Sequence, residues 1–308
     1  MSATAEAQPP AVTPACDREC LEGYIDRYLV AMLEQDVDDE LFARNVRFTE
    51  NGIELPLGNE GLWWGMSGLG GYRFYVPDIE TQQVAFIGTV VENMGNNGVN
   101  NNEGNNVAVA IRLKIVDGLI TEIEQLAIRP PVQLGGGGGG NPGPFGNTGD
   151  NVLAMGEPHP IYFETIPEDE RATREELVEQ GNHYFTALAR HDSRGYYNFT
   201  EDCVRWENGF LATDDCLEQF TGDSLNGIVS RIRDRRFVAV DRERGIVFAF
   251  AFFDHHQINW TWQLAELFKI ENGLIRRIEA VFHQAPFGIP SGWSTYEMSI
   301  SEEIQSIR

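Results

Sequence analysis

Between Val107 and Ile115 every second residue is apolar. Val107, Val109, Ile111, Leu113 and Ile115 stand on one face of an extended chain. Asp117-Gly118 follows, a two-residue hairpin signal, and a second strand-like run begins at Leu119. The same pattern returns 155 residues later: "LKIVDGLITEIEQL" (113–126) and "FKIENGLIRRIEAV" (268–281) agree at seven of fourteen positions, with Asn272-Gly273 in the turn. A helical pair repeats as well. "YLVAMLEQD" (28–36) and "YFTALARHD" (184–192) share the Tyr, the Ala three residues on and the Asp eight on. "RFTENG" (47–52) matches "RWENG" (205–209) after a one-residue slip.

Both halves therefore read as helix, strand ending in Glu-Asn-Gly, further strands and a tight hairpin. Asp17 caps the first helix, and Thr173 with Glu176 forms a capping box before the second. The predicted fold class is α+β: two tandem domains, each with leading helices packed on a curved, mostly antiparallel sheet. "VQLGGGGGGNPGPFGNTGDN" (132–151) cannot pack a core and divides them. The expected boundaries are a tail over 1–15, a first domain over 16–131, a linker over 132–158, a second domain over 159–290 and a tail over 291–308. "NMGNNGVNNNEGNN" (93–106) reads as an expanded hairpin loop inside the first domain.

Composition narrows the partners. The 308 residues carry a formal net charge of -24, which repels nucleic acid and anionic lipid. No apolar run approaches the roughly 18 residues of a membrane span. The first fifteen residues lack the basic start and apolar stretch of a signal peptide, so the cytoplasm is the default compartment and export with a removed signal the alternative. Four cysteines (Cys16, Cys20, Cys203 and Cys216) fit free thiols or disulfides; no second pair or histidine cluster completes a zinc site, so no metal is expected.

The two copies differ where it matters chemically. At the offset of 155, Val109 becomes Leu264, Leu113 becomes Phe268 and Ile115 becomes Ile270, but Ile111 becomes Glu266. A carboxylate on an apolar face must find a partner or hold a proton at a raised pKa. The first alternative would be an ion pair with Arg235 or Arg236, the second an acid suited to proton transfer.

The Tyr-led helix, the carboxylate closing the first strand and the "ELFKIENG" stretch (266–273) resemble the ketosteroid isomerase and SnoaL-like group of the nuclear transport factor 2-like superfamily. The resemblance covers about 16–130 and 160–285. It implies a cone-shaped fold, a strongly bent sheet wrapped around helices with a pocket inside, and chemistry without a cofactor. It places the helix tyrosine at Tyr184, the proton-moving acid at Glu207 and the oxyanion-stabilising acid at Glu266; the first half holds Tyr28, Glu50 and Ile111 there. Glu207 alternates with Val204 and Trp206, so a bulge would be needed to turn it inward. His256 is the alternative base, on a face shared with Phe252 and Asp254; a solvated strand end is the plainer reading. Trp206, Phe252, Asp254, Phe268 and His283 complete the candidate binding set.

The expected function is a cofactor-independent lyase or isomerase, of dehydratase or carbon–carbon lyase type, acting on a small apolar or aromatic carbonyl or alcohol. The alternatives are a non-catalytic ligand-binding or scaffold protein and an epoxide-hydrolase-like hydrolase. Partners are a small-molecule ligand and, through sheet-on-sheet contact, the chain's own other half as a pseudo-dimer; a homo-oligomer is a further option.

Overall fold

In the computed structural model, which describes residues 15–93, 104–130, 146–190, 197–222 and 229–305, the chain builds the same unit twice. The first comprises α1 (Arg18–Glu34), β1 (Phe42–Glu50), β2 (Ile53–Glu54), α2 (Leu62–Gly65), β3 (Met66–Asp78), β4 (Gln83–Glu92), β5 (Asn105–Val116) and β6 (Leu119–Ile128). After α3 (Thr148–Ala154) the second comprises α4 (Arg174–Arg190), β7 (Phe199–Glu207), β8 (Phe210–Thr213), α5 (Cys216–Thr221), β9 (Arg231–Asp241), β10 (Ile246–His255), β11 (Trp260–Glu271) and β12 (Leu274–Pro286). A last helical turn, α6, spans Tyr296–Ser299. The sheets run β2-β1-β6-β5-β4-β3 and β8-β7-β12-β11-β10-β9, the same order twice. In each, the first long strand pairs parallel with the last, and the other neighbours are antiparallel. The α+β tandem architecture is thus the expected one.

Local sequence explains the repeated words. Asp117-Gly118 and Asn272-Gly273 take positive φ at both residues, as a two-residue hairpin turn requires. Glu-Asn-Gly serves a similar end. Asn51 and Asn208 sit at φ near 50°, and each side chain bridges to the neighbouring strand. Asn51 accepts from Ala127 N and donates to Ala127 O; Asn208 does the same with Phe282. The motif is a structural staple between the first and last strands, which accounts for its presence in both copies. Asp17 and the Thr173–Glu176 box cap their helices as expected.

Three apolar clusters follow from the alternation. Val107, Val109, Ile111, Leu113 and Ile115 face α1 within the first cone. Leu264, Phe268 and Ile270 face α4 within the second. The intervening residues, Ala108 and Ala110 from one sheet and Phe248, Phe250, Leu267 and Val281 from the other, form a third core where sheet packs on sheet. Polar side chains cross this contact. Tyr72 donates to Glu279 at 2.5 Å, Arg236 to Glu124 at 2.5 Å, and Arg18 to Asp241 at 2.7 Å.

The stretch assigned to the linker is partly structured. Its residues 132–145, residue 131 before them, the loop residues 94–103 and Asp192 lie outside the described residues, but 148–154 form α3, with Val152 buried in the sheet–sheet core that also holds Tyr162. Gly149 lets this helix touch the β5 backbone, since a Cβ there would stand 2.1 Å from Asn106 O. The C-terminal tail also packs. Trp293 lies over the guanidinium groups of Arg47 and Arg112 and donates to Thr49 at 2.8 Å, all in the first unit. Both cysteine pairs are bonded, Cys16 to Cys20 and Cys203 to Cys216.

Two outcomes test this packing. Glu124 is buried between Arg112 and Arg236. Glu124→Gln removes the one carboxylate shared by Arg112 and Arg236, which keep Glu122 and Asp234, and is expected to cost about 3 kcal/mol in denaturant unfolding, whereas the exposed Arg47–Glu54 pair is worth at most about 1 kcal/mol, so Glu54→Gln should change little. The Cys203–Cys216 bond closes a 13-residue separation, so Cys203→Ala with Cys216→Ala is expected to lower stability by about 3 kcal/mol by the same measurement.

Candidate active site

The second cone gathers its chemistry on α4, β7 and β11. The α4 helix approaches the sheet closely at Gly181, where a Cβ would stand 2.8 Å from the Phe237 ring. One turn on, this approach sets Tyr184 against Phe268 and Phe220, with ring centroids 5.0 and 5.1 Å away. The Tyr184 hydroxyl accepts a hydrogen bond from Arg205 Nε at 2.9 Å. A phenol that receives a donor on its oxygen keeps its own proton for another acceptor. Burial, with Glu266 and Glu207 adding to it against Arg205, pushes the hydroxyl well above its ordinary pKa, so it stays protonated.

Arg205 is itself buried and forks between three partners. Besides Tyr184 it donates to Gln219 at 3.2 Å and forms an ion pair with Glu207. Burial works against its charge, but Glu207, Tyr184 and Glu266 outweigh it and hold the guanidinium protonated.

Glu266 stands on β11 between Leu264 and Phe268, cross-strand from Ala249 and Ala280. Those two small side chains leave the carboxyl uncovered by bulk on either side. The residue is 1% exposed, and neither oxygen has a hydrogen-bond partner among the described residues. Desolvation raises its pKa to about 8, helped by Glu207 and opposed by Arg205 and Tyr184. At neutral pH it is a buried acid carrying its proton. The ion pair with Arg235 or Arg236 weighed from sequence does not form: Arg235 bonds Asn182 and Thr186, and Arg236 reaches across to Glu124.

Strand parity corrects several other assignments. On β7 the inward set is Cys203, Arg205 and Glu207, not Val204 and Trp206, so Glu207 enters the cone beside Arg205, and the register with β8 shifts between Arg205 and Trp206. Trp206 faces away, its ring beside the Arg277 guanidinium. On β10 the inward residues are Val247, Ala249, Ala251 and Phe253, which leaves Phe252 and Asp254 on the opposite face. Phe252 packs under Arg233, and Asp254 is buried in a knot with Arg231, Arg233 and Thr261 that holds its pKa below the usual range despite burial. His256 is exposed past the strand end, against Phe287. His283 also turns away from the cone, between Phe282 and Gln284, contacting Gln263 at 3.2 Å; burial and Arg129 lower its pKa to about 4. Phe268 is in the cone as expected.

Two inward groups escaped the sequence reading. Arg205 stands where the first copy has Phe48, and His255 shares the parity of Phe253. His255 is 2% exposed, both ring nitrogens lack partners among the described residues, and burial lowers its pKa. The signal for Arg205 was available: carrying the Glu50-to-Glu207 offset two residues back converts an apolar position into a cation.

The first cone shows the contrast. Tyr28 donates to Gln125 at 2.9 Å, Gln125 to Glu50 at 3.0 Å, and Glu50 also accepts from Leu62 N and pairs with Arg129 at 2.7 Å. Ile111 occupies the position of Glu266. That network is closed, while the one around Glu266 is open. Among the described residues no three His, Cys, Asp or Glu side chains are arranged to hold a metal.

The model of a domain of unknown function, DUF8021, matches residues 170–282, the second unit. Comparison with curated proteins gives no match. Among solved structures, a de novo designed protein with a curved β-sheet is similar at 16% identity over 36% of this chain and 88% of its own, with a TM-score of 0.29. An epoxide hydrolase of LEH-like type from M. tuberculosis is similar at 14% identity over 35% and 84%, TM-score 0.30. An NTF-2-like protein of unknown function from Burkholderia xenovorans is similar at 15% over 39% and 94%, TM-score 0.30. By element order and sheet topology the chain is a tandem of two α+β units, each a six-stranded mixed sheet closed over helices.

The raised pKa of Glu266 has a signed consequence. A carboxyl whose folded pKa exceeds its unfolded value binds protons more tightly in the native state, so stability falls as pH rises. The loss spans about 4.5 to about 8, and Glu279, raised in the same direction by burial, adds to it. Glu266→Gln is expected to flatten this slope and to raise the melting temperature at pH 8 relative to pH 5. An unchanged pH profile in the variant would place the carboxyl in water.

Proposed function

We propose that the second cone is a cofactor-independent lyase or isomerase that works by general acid–base chemistry on a small carbonyl or alcohol substrate. The observation that carries this reading is the buried Glu266 carboxyl, without a hydrogen-bond partner among the described residues and beside the Tyr184–Arg205–Glu207 chain. Pairs of carboxyls held in different electrostatic settings are the usual basis for dividing acid and base roles. Glu266, protonated at neutral pH, donates to the substrate oxygen. Tyr184 donates beside it, its oxygen already engaged by Arg205. Glu207, held by the same guanidinium, takes the proton from carbon. In a dehydration the two transfers balance: carbon loses a proton to Glu207, the hydroxyl gains one from Glu266 and leaves as water. Neither His256 nor Asp254 takes part, because their strand positions face away from Glu266.

A second reading rests on the same arginine. Glu207 pairs with Arg205, and Glu266 feels the same charge, so a water deprotonated by Glu207 could open an epoxide whose oxygen is protonated by Glu266. Product analysis separates the two, since only the hydrolytic route incorporates oxygen from labelled water.

A screen of carbonyl, alcohol and epoxide substrates is followed by substitution at the site. Loss of one oxyanion donor costs about 10²–10³ in rate, so Tyr184→Phe is expected to fall in that range and Glu266→Gln, which keeps an N–H donor, to lose less. Glu207→Gln removes the base and is expected to abolish turnover. Tyr28→Phe in the first cone leaves it near wild type. Full activity in the Tyr184→Phe, Glu266→Gln double variant would sink the assignment.

A further inference from the structure

Two triplets in the chain have the form Asn-X-Thr with X other than proline: Asn198-Phe199-Thr200 and Asn259-Trp260-Thr261. This is the acceptor pattern for N-linked oligosaccharides. Such triplets also arise by chance, so the pattern needs support from the compartment and from the fold.

The cysteines bear on the compartment. The chain has four, and all are bonded, Cys16 to Cys20 and Cys203 to Cys216. Disulfides persist in oxidising compartments, whereas cytosolic thiol buffers keep cysteines reduced. The two bonds favour the export alternative over the cytoplasmic default. Export through the endoplasmic reticulum brings an acceptor triplet past the glycosylating machinery.

The fold separates the two triplets. Asn198 is 1% exposed, and its side-chain nitrogen donates to Gln180 O at 3.2 Å and to Gln180 Oε1 at 2.8 Å. A sugar on that nitrogen replaces one N–H and needs the space that the α4 backbone fills. Asn259 is the opposite case. It closes the short connection from β10 to β11, is exposed, and holds φ at 55°, a left-handed position that asparagine tolerates. Its neighbour Ile258 is 55% exposed, an apolar tip that a bulky, hydrated glycan would shield. The corresponding connection of the first copy, 93–104, is rich in asparagine but holds no acceptor triplet, so the mark falls on the second unit alone.

Thr261 sets the timing. The acceptor pattern includes the hydroxyl two residues after the asparagine. In the folded protein Thr261 is fully buried: its Oγ1 donates to Asp254 at 2.7 Å and accepts from Gly288 N at 3.3 Å. Once β11 has paired, the triplet can no longer be read, although Asn259 stays at the surface. We propose that the protein is exported and carries an N-linked oligosaccharide on Asn259, attached before the second unit folds. The donor is a polyisoprenyl-diphosphate oligosaccharide. The Asn259 carboxamide nitrogen bonds to C1 of its first N-acetylglucosamine, and the C1–O bond to the diphosphate breaks. The diphosphate leaves with that electron pair, the nitrogen gives up one proton, and nothing is oxidised or reduced. The assignment does not rest on the chemistry around Glu266.

The test expresses the full chain behind an export signal in insect cells and isolates the secreted monomer. Peptide N-glycosidase in heavy-oxygen water then marks each modified asparagine as labelled aspartate for peptide mapping. Label is expected at Asn259 and not at Asn198. Asn259→Gln is expected to remove the glycan and to melt within about 2 °C of the glycosylated protein, as an exposed substitution should. Alkylation of the denatured, unreduced protein is expected to find no free thiol. A separate assay gives a solubilised oligosaccharyltransferase and its lipid-linked donor the unglycosylated chain, either folded or reduced and unfolded. The unfolded chain is expected to be modified at least about tenfold faster, because the folded one exposes Thr261 only on opening. A secreted monomer with Asn259 unmodified, or with Asn198 modified, overturns the site. Free thiols in that monomer, or a chain the cells do not secrete, overturn the export argument. Equal rates for folded and unfolded chain overturn the timing.

Discussion

The strands β4, β5, β9, β10 and β11 are covered on both faces, and the rest of the molecule answers to that constraint. One face closes over a helix to make a cone, and the other lies on the partner sheet. A polar side chain buried in either sheet has no water to turn to, so it must be bonded within the protein or carry an energetic penalty. Most are bonded. Glu124 lies between Arg112 and Arg236, Glu279 accepts from Tyr72, and Asp254 is held by two arginines and a threonine. The same rule makes the open carboxyl of Glu266 informative. Several buried groups keep one unbonded atom, but Glu266 has both carboxyl oxygens without a hydrogen-bond partner among the described residues, with Arg205 and the Tyr184 hydroxyl moderating its desolvation.

The comparison between copies sharpens this. The first cone has a complete circuit from Tyr28 through Gln125 to Glu50 and Arg129. In the second, Gln125 is replaced by Ala280, Phe48 by Arg205 and Ile111 by Glu266. Removing one amide and adding one cation and one acid turns a hydrogen-bonded polar core into one with a buried, protonated acid, with no change in backbone topology. The division of labour is physical: the first copy is stabilised by its network, while the second tolerates an unfavourable desolvation term at one residue.

Much of this was legible in the sequence. The repeat, the two-residue turns, the capping residues and the Ile111-to-Glu266 exchange were readable because they depend on local chemistry or on direct comparison of the copies. Parity on β7 and β10 was not. Residues 246–255 are buried without interruption, so the chain shows no alternation of apolar and polar residues from which to tell inside from outside. That is why Asp254 and Phe252 are expected in the cone, and why His255 rather than His256 proves to be the inward histidine. On β7 the inward residues are a cysteine, an arginine and a glutamate, whereas Val204 and Trp206 point outward. Hydrophobicity there predicts the reverse of the true facing, because Arg205 and Glu207 bond one another inside the cone while Trp206 packs beside Arg277 on the outer face. The packed helix at 148–154 was equally hidden, since its few apolar residues become meaningful only beside the sheet–sheet core.

The position of Trp293 bears on how the chain is made. This residue belongs to the last segment, yet it rests on Arg47, Arg112 and Thr49 of the first unit. During synthesis the first unit emerges from the ribosome with that surface bare, and it stays bare until the remaining stretch of chain has been translated. Order of manufacture and order of completion therefore differ. The half that is made first is finished last, and until then the guanidinium faces of Arg47 and Arg112 lack their aromatic cover although their carboxylate partners in the first unit are already in place.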